Sequence, residues 1–171
     1  MIKVKAKSPA PPLSFLLRHP AHLVACGFGS GLSPWASGTA GTLFAWITYP
    51  FLRGLLPDDF AFAVFLLLAF VLGVTACQIT GRALGVTDHG SIVWDEIVPF
   101  WAVLMLTPTD WYWQVAAFFW FRFYDIIKPA PADYFDKQVK NGLGVMMDDA
   151  IAAAYTVLTL AVFKLIMDRL N

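Results

Sequence analysis

The sequence predicts an all-α fold: an integral membrane helical bundle of about four to five hydrophobic helices, preceded by a short N-terminal interfacial helix. Three observations carry this reading. Of 171 residues, 58% are apolar and 14% charged, and the mean hydropathy is +0.64, well above what a water-exposed domain needs. Five apolar runs approach the about 20 residues that a helix needs to cross a hydrocarbon layer of about 30 Å. The basic residues also segregate into alternate loops between those runs, as the positive-inside rule requires.

The same composition excludes several function classes. Twelve Lys plus Arg balance twelve Asp plus Glu, so no polybasic surface exists to bind nucleic acid by counterion release. Two cysteines, Cys26 and Cys77, stand in apolar surroundings and are too few for a disulfide framework or a zinc site, so both are expected to be reduced. The chain reads as one membrane-embedded domain over 1–171, with 1–12 as a flexible N-terminal tail.

The N-terminal stretch mimics a targeting signal, because Lys3, Lys5 and Lys7 precede an apolar region and LVAC ends at Cys26. Arg18, His19, Pro20 and His22 interrupt that region, which a translocated segment should not contain, so the stretch is read as retained. Residues 13–17 and 23–25 are expected to form a short helix on the membrane surface. The five candidate spans are 37–56, 60–80, 91–107, 111–127 and 150–167. The second carries no charge. The third and fourth are short and contain charged residues, which inside a membrane point to function. The alternative is a bundle that packs two of the five in its own core.

With a cytoplasmic N-terminus and five crossings, the inner side receives Lys3, Lys5, Lys7, Arg18, Arg82, Arg122, Lys128, Lys137 and Lys140, and the outer side receives Arg53, Lys164 and Arg169. The outer turns, LPDD and TPTD, are acidic and short, and Trp111, Tyr112 and Trp113 follow the second as an interfacial aromatic belt would. This topology brings four polar stretches to one depth: GFGSGLSPWASGTAGT, TDHGSIVWDE, FRFYDIIKP and the MDD centred on Asp148.

Carboxylates gathered at that depth are costly unless a cation, a basic partner or a proton neutralises them. Asp95, Glu96, Asp125, Asp148 and Asp149 form an oxygen-rich set of the kind that suits magnesium shared with a substrate phosphate. The bland reading is that Arg122 and Arg82 pair with these acids to hold helices together. Arg122, Asp125 and Lys128 recur every three residues on one helix face before Pro129, with the Arg122 fork suited to phosphate oxygens. Asp148 and Asp149 are expected to open the last helix, where they also complement its dipole.

In the glycine-rich stretch, Gly29, Ser30, Gly31, Ser37, Gly38 and Thr39 are candidates to bind an anion. Small residues let backbone N–H groups approach it, and Ser37 or Thr39 is positioned to cap the following helix. Glycines that serve only close helix packing are the structural alternative. No Walker A lysine or dinucleotide fingerprint is present, which argues against a nucleotide. A cysteine phosphatase mechanism fails as well, because Arg82 follows Cys77 one residue too soon. His89, in a loop beside Asp88, is a candidate to relay a proton, or merely a neighbour of a helix cap.

Taken together, GFGSGLSPWASGTAGT, DHGSIVWDE, FRFYDIIKPAPADYFD and NGLGVMMDD closely resemble the bacterial phosphatidylglycerophosphatase A family, in order and spacing, from about His22 to about Thr159. The resemblance implies a magnesium-dependent enzyme of the bacterial inner membrane that hydrolyses the terminal phosphate of phosphatidylglycerophosphate to phosphatidylglycerol and inorganic phosphate, with its active site at the cytoplasmic face. By the family pattern, the functional positions are Asp88, His89, Asp95, Glu96, Arg122, Asp125, Lys128, Asp148 and Asp149. The expected roles are Asp95, Glu96, Asp125, Asp148 and Asp149 on magnesium, Arg122 and Lys128 on phosphate, and Asp88 and His89 in proton transfer. The rival classes are a small ion or solute transporter, whose acids would spread through the membrane depth, and a non-catalytic helical scaffold, whose acids would only pair with Arg and Lys.

Overall fold

A computed structural model describes residues 9–170, which form helices joined by turns. Of the expected tail, residues 1–8, including Lys3, Lys5 and Lys7, lie outside the described residues, and 9–12 lead into the first helix without regular structure.

The expected interfacial helix is divided into two, α1 (Leu13–Leu16) and α2 (Pro20–Ala25). Pro20 starts the second because a first-turn proline has no intrahelical hydrogen bond to lose. His19 caps it, its Nδ1 accepting the Ala21 N–H at 3.1 Å. A 3₁₀ segment, Gly27–Leu32, turns the chain back toward α3 (Ser37–Leu55). The remaining helices are α4 (Asp59–Leu84), α5 (Trp94–Leu106), α6 (Trp111–Ile127), α7 (Ala132–Gln138) and α8 (Gly142–Leu170).

All five apolar runs are thus helical, but the start of the last helix and the capping of α3 differ from expectation. The last helix begins at Gly142, so Asp148 and Asp149 sit in its second turn and do not open it. Asn141 accounts for the earlier start, its Oδ1 accepting the Gly144 N–H at 3.0 Å, while Gln78 Oε1 takes the Gly142 N–H at 2.8 Å. Helix α3 begins at Ser37 after Ala36 in the left-handed region, with no side-chain cap. Ser37 instead donates its hydroxyl to the Gly90 carbonyl. Helix α7 was not foreseen, being too short to show an apolar period.

Helix α5 is the centre of the bundle. Nine of its thirteen residues are buried, and it packs against α3, α4, α6 and α8. Its aromatic side chains find partners for their polar atoms: Trp94 Nε1 donates to the Ala69 carbonyl at 3.0 Å and Trp101 Nε1 to the Ala45 carbonyl at 2.9 Å. At 13 residues it measures only about 20 Å along its axis. The surrounding helices instead leave large apolar side chains exposed, such as Ile47 and Phe51 on α3, Leu68 and Leu72 on α4, Phe119 on α6 and Leu158 on α8. Among the described residues, α4 and α8 are long and apolar enough to cross a membrane. The described residues are therefore all-helical, with two helices that match a membrane span in length and apolarity. Its connections bring the N-termini of α3, α5 and α8 and the C-termini of α4 and α6 to one end of the bundle.

Candidate active site

At that end lies a polar pocket of about 290 Å³. It is lined by the start of α3 (Ala36, Ser37, Gly38), the loop before α5 (Asp88, Gly90, Ile92), the first turn of α5 (Asp95, Glu96), the end of α6 (Arg122, Asp125, Lys128) and Asp149 of α8. The sequence expectation of one cluster drawn from four segments is met in space.

Helical spacing explains the arrangement on α6. Arg122 and Asp125 are one turn apart, and Arg122 Nη1 reaches Asp125 Oδ2 at 2.7 Å and Glu96 Oε1 on α5 at 3.0 Å. Lys128 ends the helix in the left-handed conformation, its N–H bonded to the Tyr124 carbonyl. That turn carries its ammonium away from the Arg122 row to Asp136 of α7, at 3.0 Å, and to Asp148 of α8. Burial opposes the charge on Lys128, but Asp148 and Asp149 outweigh it and hold the ammonium above its ordinary pKa.

The glycines have a steric role here. A Cβ at Gly38 would overlap Glu96 Oε1, and one at Gly41 would lie 3.0 Å from Glu96 Oε2 and 2.7 Å from Val93 Cβ. The Glu96 carboxylate therefore lies directly against the bare backbone of α3. Gly31 has a different neighbour, since a Cβ there would strike the Ser91 carbonyl. The 3₁₀ segment accordingly supports the 88–93 loop, which also receives the Ala25 carbonyl on the Val93 N–H at 2.9 Å.

Of the anion-binding candidates, Ser37 and Gly38 line the pocket, whereas Gly29, Ser30, Gly31 and Thr39 do not. Ser30 Oγ is spent on the Gly27 carbonyl at 2.8 Å. His89 is buried and also absent from the lining. Its Nδ1 accepts the Ser91 N–H at 3.1 Å. Burial pushes its imidazole below the ordinary pKa against the pull of Asp88, so the ring is held neutral as a loop brace. Asp88 is exposed and borders both the pocket and a smaller cleft that contains Asp136, Lys140 and Asp148. Asp136 received no role from the sequence. Its only signal was a place in the FRFYDIIKPAPADYFD stretch, and the turn that delivers it to Lys128 has no local signature.

Electrostatically, the lining is unbalanced, with five acids against two cations. Carboxylate oxygens of Glu96, Asp125 and Asp149 lie within 4.8 Å of one another. Glu96 Oε2 and Asp149 Oδ1 are buried without a hydrogen-bond partner. Buried acceptors left unpaired in an acid-rich pocket call for positive charge. A set of carboxylate oxygens without Cys or His fits a hard divalent cation. Asp95, also buried, faces the same pocket, whereas Asp148 is committed to Lys128.

A protein-family model described as phosphatidylglycerophosphatase A matches residues 23–164. A protein of Haemophilus influenzae named phosphatidylglycerophosphatase A is 49% identical over 143 residues, covering 83% of this chain and 87% of that protein. One of Escherichia coli with the same name is 45% identical over 137 residues, covering 80% of this chain and 78% of that protein. No solved structure matches the chain.

Proposed function

The chain belongs to the phosphatidylglycerophosphatase A family, and from that premise we propose that the acidic pocket is the centre of a magnesium-dependent hydrolase. Its substrate would be phosphatidylglycerophosphate and its products phosphatidylglycerol and inorganic phosphate. Family membership makes the chain a phosphatase. The one observation that carries the site assignment is the set of Glu96, Asp125 and Asp149, three carboxylates from three helices whose oxygens converge with two buried acceptors unpaired.

Such a pocket repels a phosphate monoester while it holds only its own side chains. In our reading Glu96, Asp125 and Asp149 hold the magnesium ion, with Asp95 beside them. When bound, the ion supplies the positive charge that phosphoryl transfer requires. Arg122, anchored between Glu96 and Asp125, keeps its guanidinium at the pocket wall, where it orients phosphoryl oxygens. Lys128 contributes a second positive charge from a fixed position and also ties α6, α7 and α8 together. Hydrolysis breaks the bond from phosphorus to the glycerol oxygen, forms one to the oxygen of water, and delivers a proton to the departing alkoxide. Asp88, exposed at the mouth of the pocket, is suited to carry that proton. His89 is better placed to brace its loop than to act as a relay.

We place the pocket at the inner leaflet of the bacterial inner membrane. The basic residues concentrate on its side of the bundle, and a substrate tethered to lipid presents its terminal phosphate at headgroup depth. The exposed apolar faces of α3, α4, α6 and α8 around a buried α5 support insertion of the bundle as a whole. An ion path would need acids along the depth of the bundle, whereas these meet at one end.

The test is phosphate release from phosphatidylglycerophosphate by the purified chain in detergent. Activity should disappear with excess chelator and return with magnesium. Full activity in excess chelator would remove the metal from the mechanism.

A further inference from the structure

A second concavity, of about 560 Å³, lies between α2 and α4 and shares no lining residue with the acidic pocket. Its walls are apolar except for His19 at one end and Thr75. Along α4 it follows Phe65, Leu68, Leu72, Thr75 and Ile79, spaced by three or four residues and so aligned on one helix face. The fourteen-residue interval from Phe65 to Ile79 corresponds to about 21 Å, whereas one leaflet of a hydrocarbon core is about 15 Å deep. Leu68 and Leu72 are 58% and 66% exposed and Thr75 is exposed as well, so the groove is open along its middle.

Two arginines stand just beyond the lining. Arg18 precedes the lining residue His19, and Arg82 continues the Thr75 and Ile79 row by one more turn. Both arginines are exposed, and among the described residues neither forms an ion pair. An apolar channel longer than one leaflet is deep, with two exposed and unpaired arginines just beyond its lining, is complementary to one kind of molecule. We infer that this groove holds an acyl chain of an anionic phospholipid from the surrounding leaflet, with the lipid phosphate between Arg18 and Arg82.

The inference rests on the membrane placement proposed above and is independent of the catalytic assignment. The full chain, purified in detergent, delipidated and mixed with dioleoyl phosphatidylglycerol or dioleoyl phosphatidylcholine, is examined by native mass spectrometry for bound lipid. The expected result is one retained phosphatidylglycerol, with a preference over phosphatidylcholine that falls about fivefold for each of Arg18→Gln and Arg82→Gln. Thr75→Trp, a substitution at an exposed position that fills the groove, should abolish retention and leave phosphate release from a short-chain phosphatidylglycerophosphate unchanged. Leu68→Trp provides a second plug if Thr75→Trp does not fold. Equal retention of the two lipids by the wild-type chain, or undiminished retention by a folded plugged variant, would overturn the inference. Partition of the chain into water rather than detergent would overturn it together with the membrane reading. Inactivity toward the short-chain substrate, with lipid still retained, would count against the catalytic reading alone and leave the groove assignment standing.

Discussion

Gly38 and Glu96 occupy each other's space: a methyl group at position 38 would overlap Glu96 Oε1 and come within 2.8 Å of Arg122 Nη2. Helix α3 therefore contributes to the pocket by what it lacks. Gly38→Ala should lower phosphate release by about tenfold to a hundredfold, the range seen when groups that orient metal ligands are disturbed. Gly54→Ala, on the same helix with open space around it, should be neutral or stabilise by about 0.5–1 kcal/mol. Activity and thermal unfolding of the two variants, measured side by side, check both outcomes.

Asp149→Asn distinguishes a metal centre from a purely structural ion-pair network. Asp149 Oδ1 has no hydrogen-bond partner and acidic neighbours surround it, so removing its charge relieves repulsion. The variant should unfold at the same or a higher temperature while activity falls by about a hundredfold or more. A bundle held together by that carboxylate would instead lose stability and show no specific loss of turnover.

Lys128 is fixed by two acids of unequal burial, Asp148 with 5% of its side chain exposed and Asp136 with 29%. Lys128→Met leaves Asp148 buried without its partner and should cost about 3 kcal/mol. Asp136→Asn leaves a more solvated site and should cost about 1 kcal/mol or less. Adding Asp148→Asn to Lys128→Met should recover part of the loss, and a double-mutant cycle by denaturant unfolding reads the coupling.

His22 is buried between α1 and α4, stacked on Phe15 at 4.2 Å and with its Nδ1 3.0 Å from Thr80 Oγ1. Burial, then His19 and Arg18, lower its pKa below 6.5 in the folded chain. The unfolded chain therefore binds the proton more tightly, and the stabilising effect, complete above pH 6.5, is lost as the pH falls toward the folded value. The melting temperature should drop on acidification from pH 7.5 to below 6.5. His22→Gln should flatten that part of the profile, and an unchanged slope would assign the acid sensitivity to other groups.

The number of crossings decides the side of the C-terminus. If α3, α4, α5, α6 and α8 all traverse the bilayer, a reporter fused after Asn171 lies opposite the N-terminus. If α4 and α8 alone cross, both ends share one side. Paired fusions active in only the cytoplasm or only the outer compartment give the answer directly.

Much of this protein could be read from local sequence. Five apolar runs became five helices because burying side chains and satisfying backbone groups both favour a helix over such lengths, whatever surrounds it. The polar motifs at their ends identified most of the pocket, including Asp95, Glu96, Arg122, Asp125 and Asp149. Tertiary structure decided what each motif does. Gly31 supports the 88–93 loop while Gly38 admits Glu96, although both stand in one glycine-rich stretch, because what a missing Cβ makes room for depends on the chain opposite it. His89 turned out to brace its own loop, and the left-handed turn at Lys128 sent its ammonium to Asp136 and Asp148. The physical reason is range: helix formation depends on neighbours within four residues, whereas the partners of a charge or a glycine come from helices far away in the chain and are fixed only when the bundle packs.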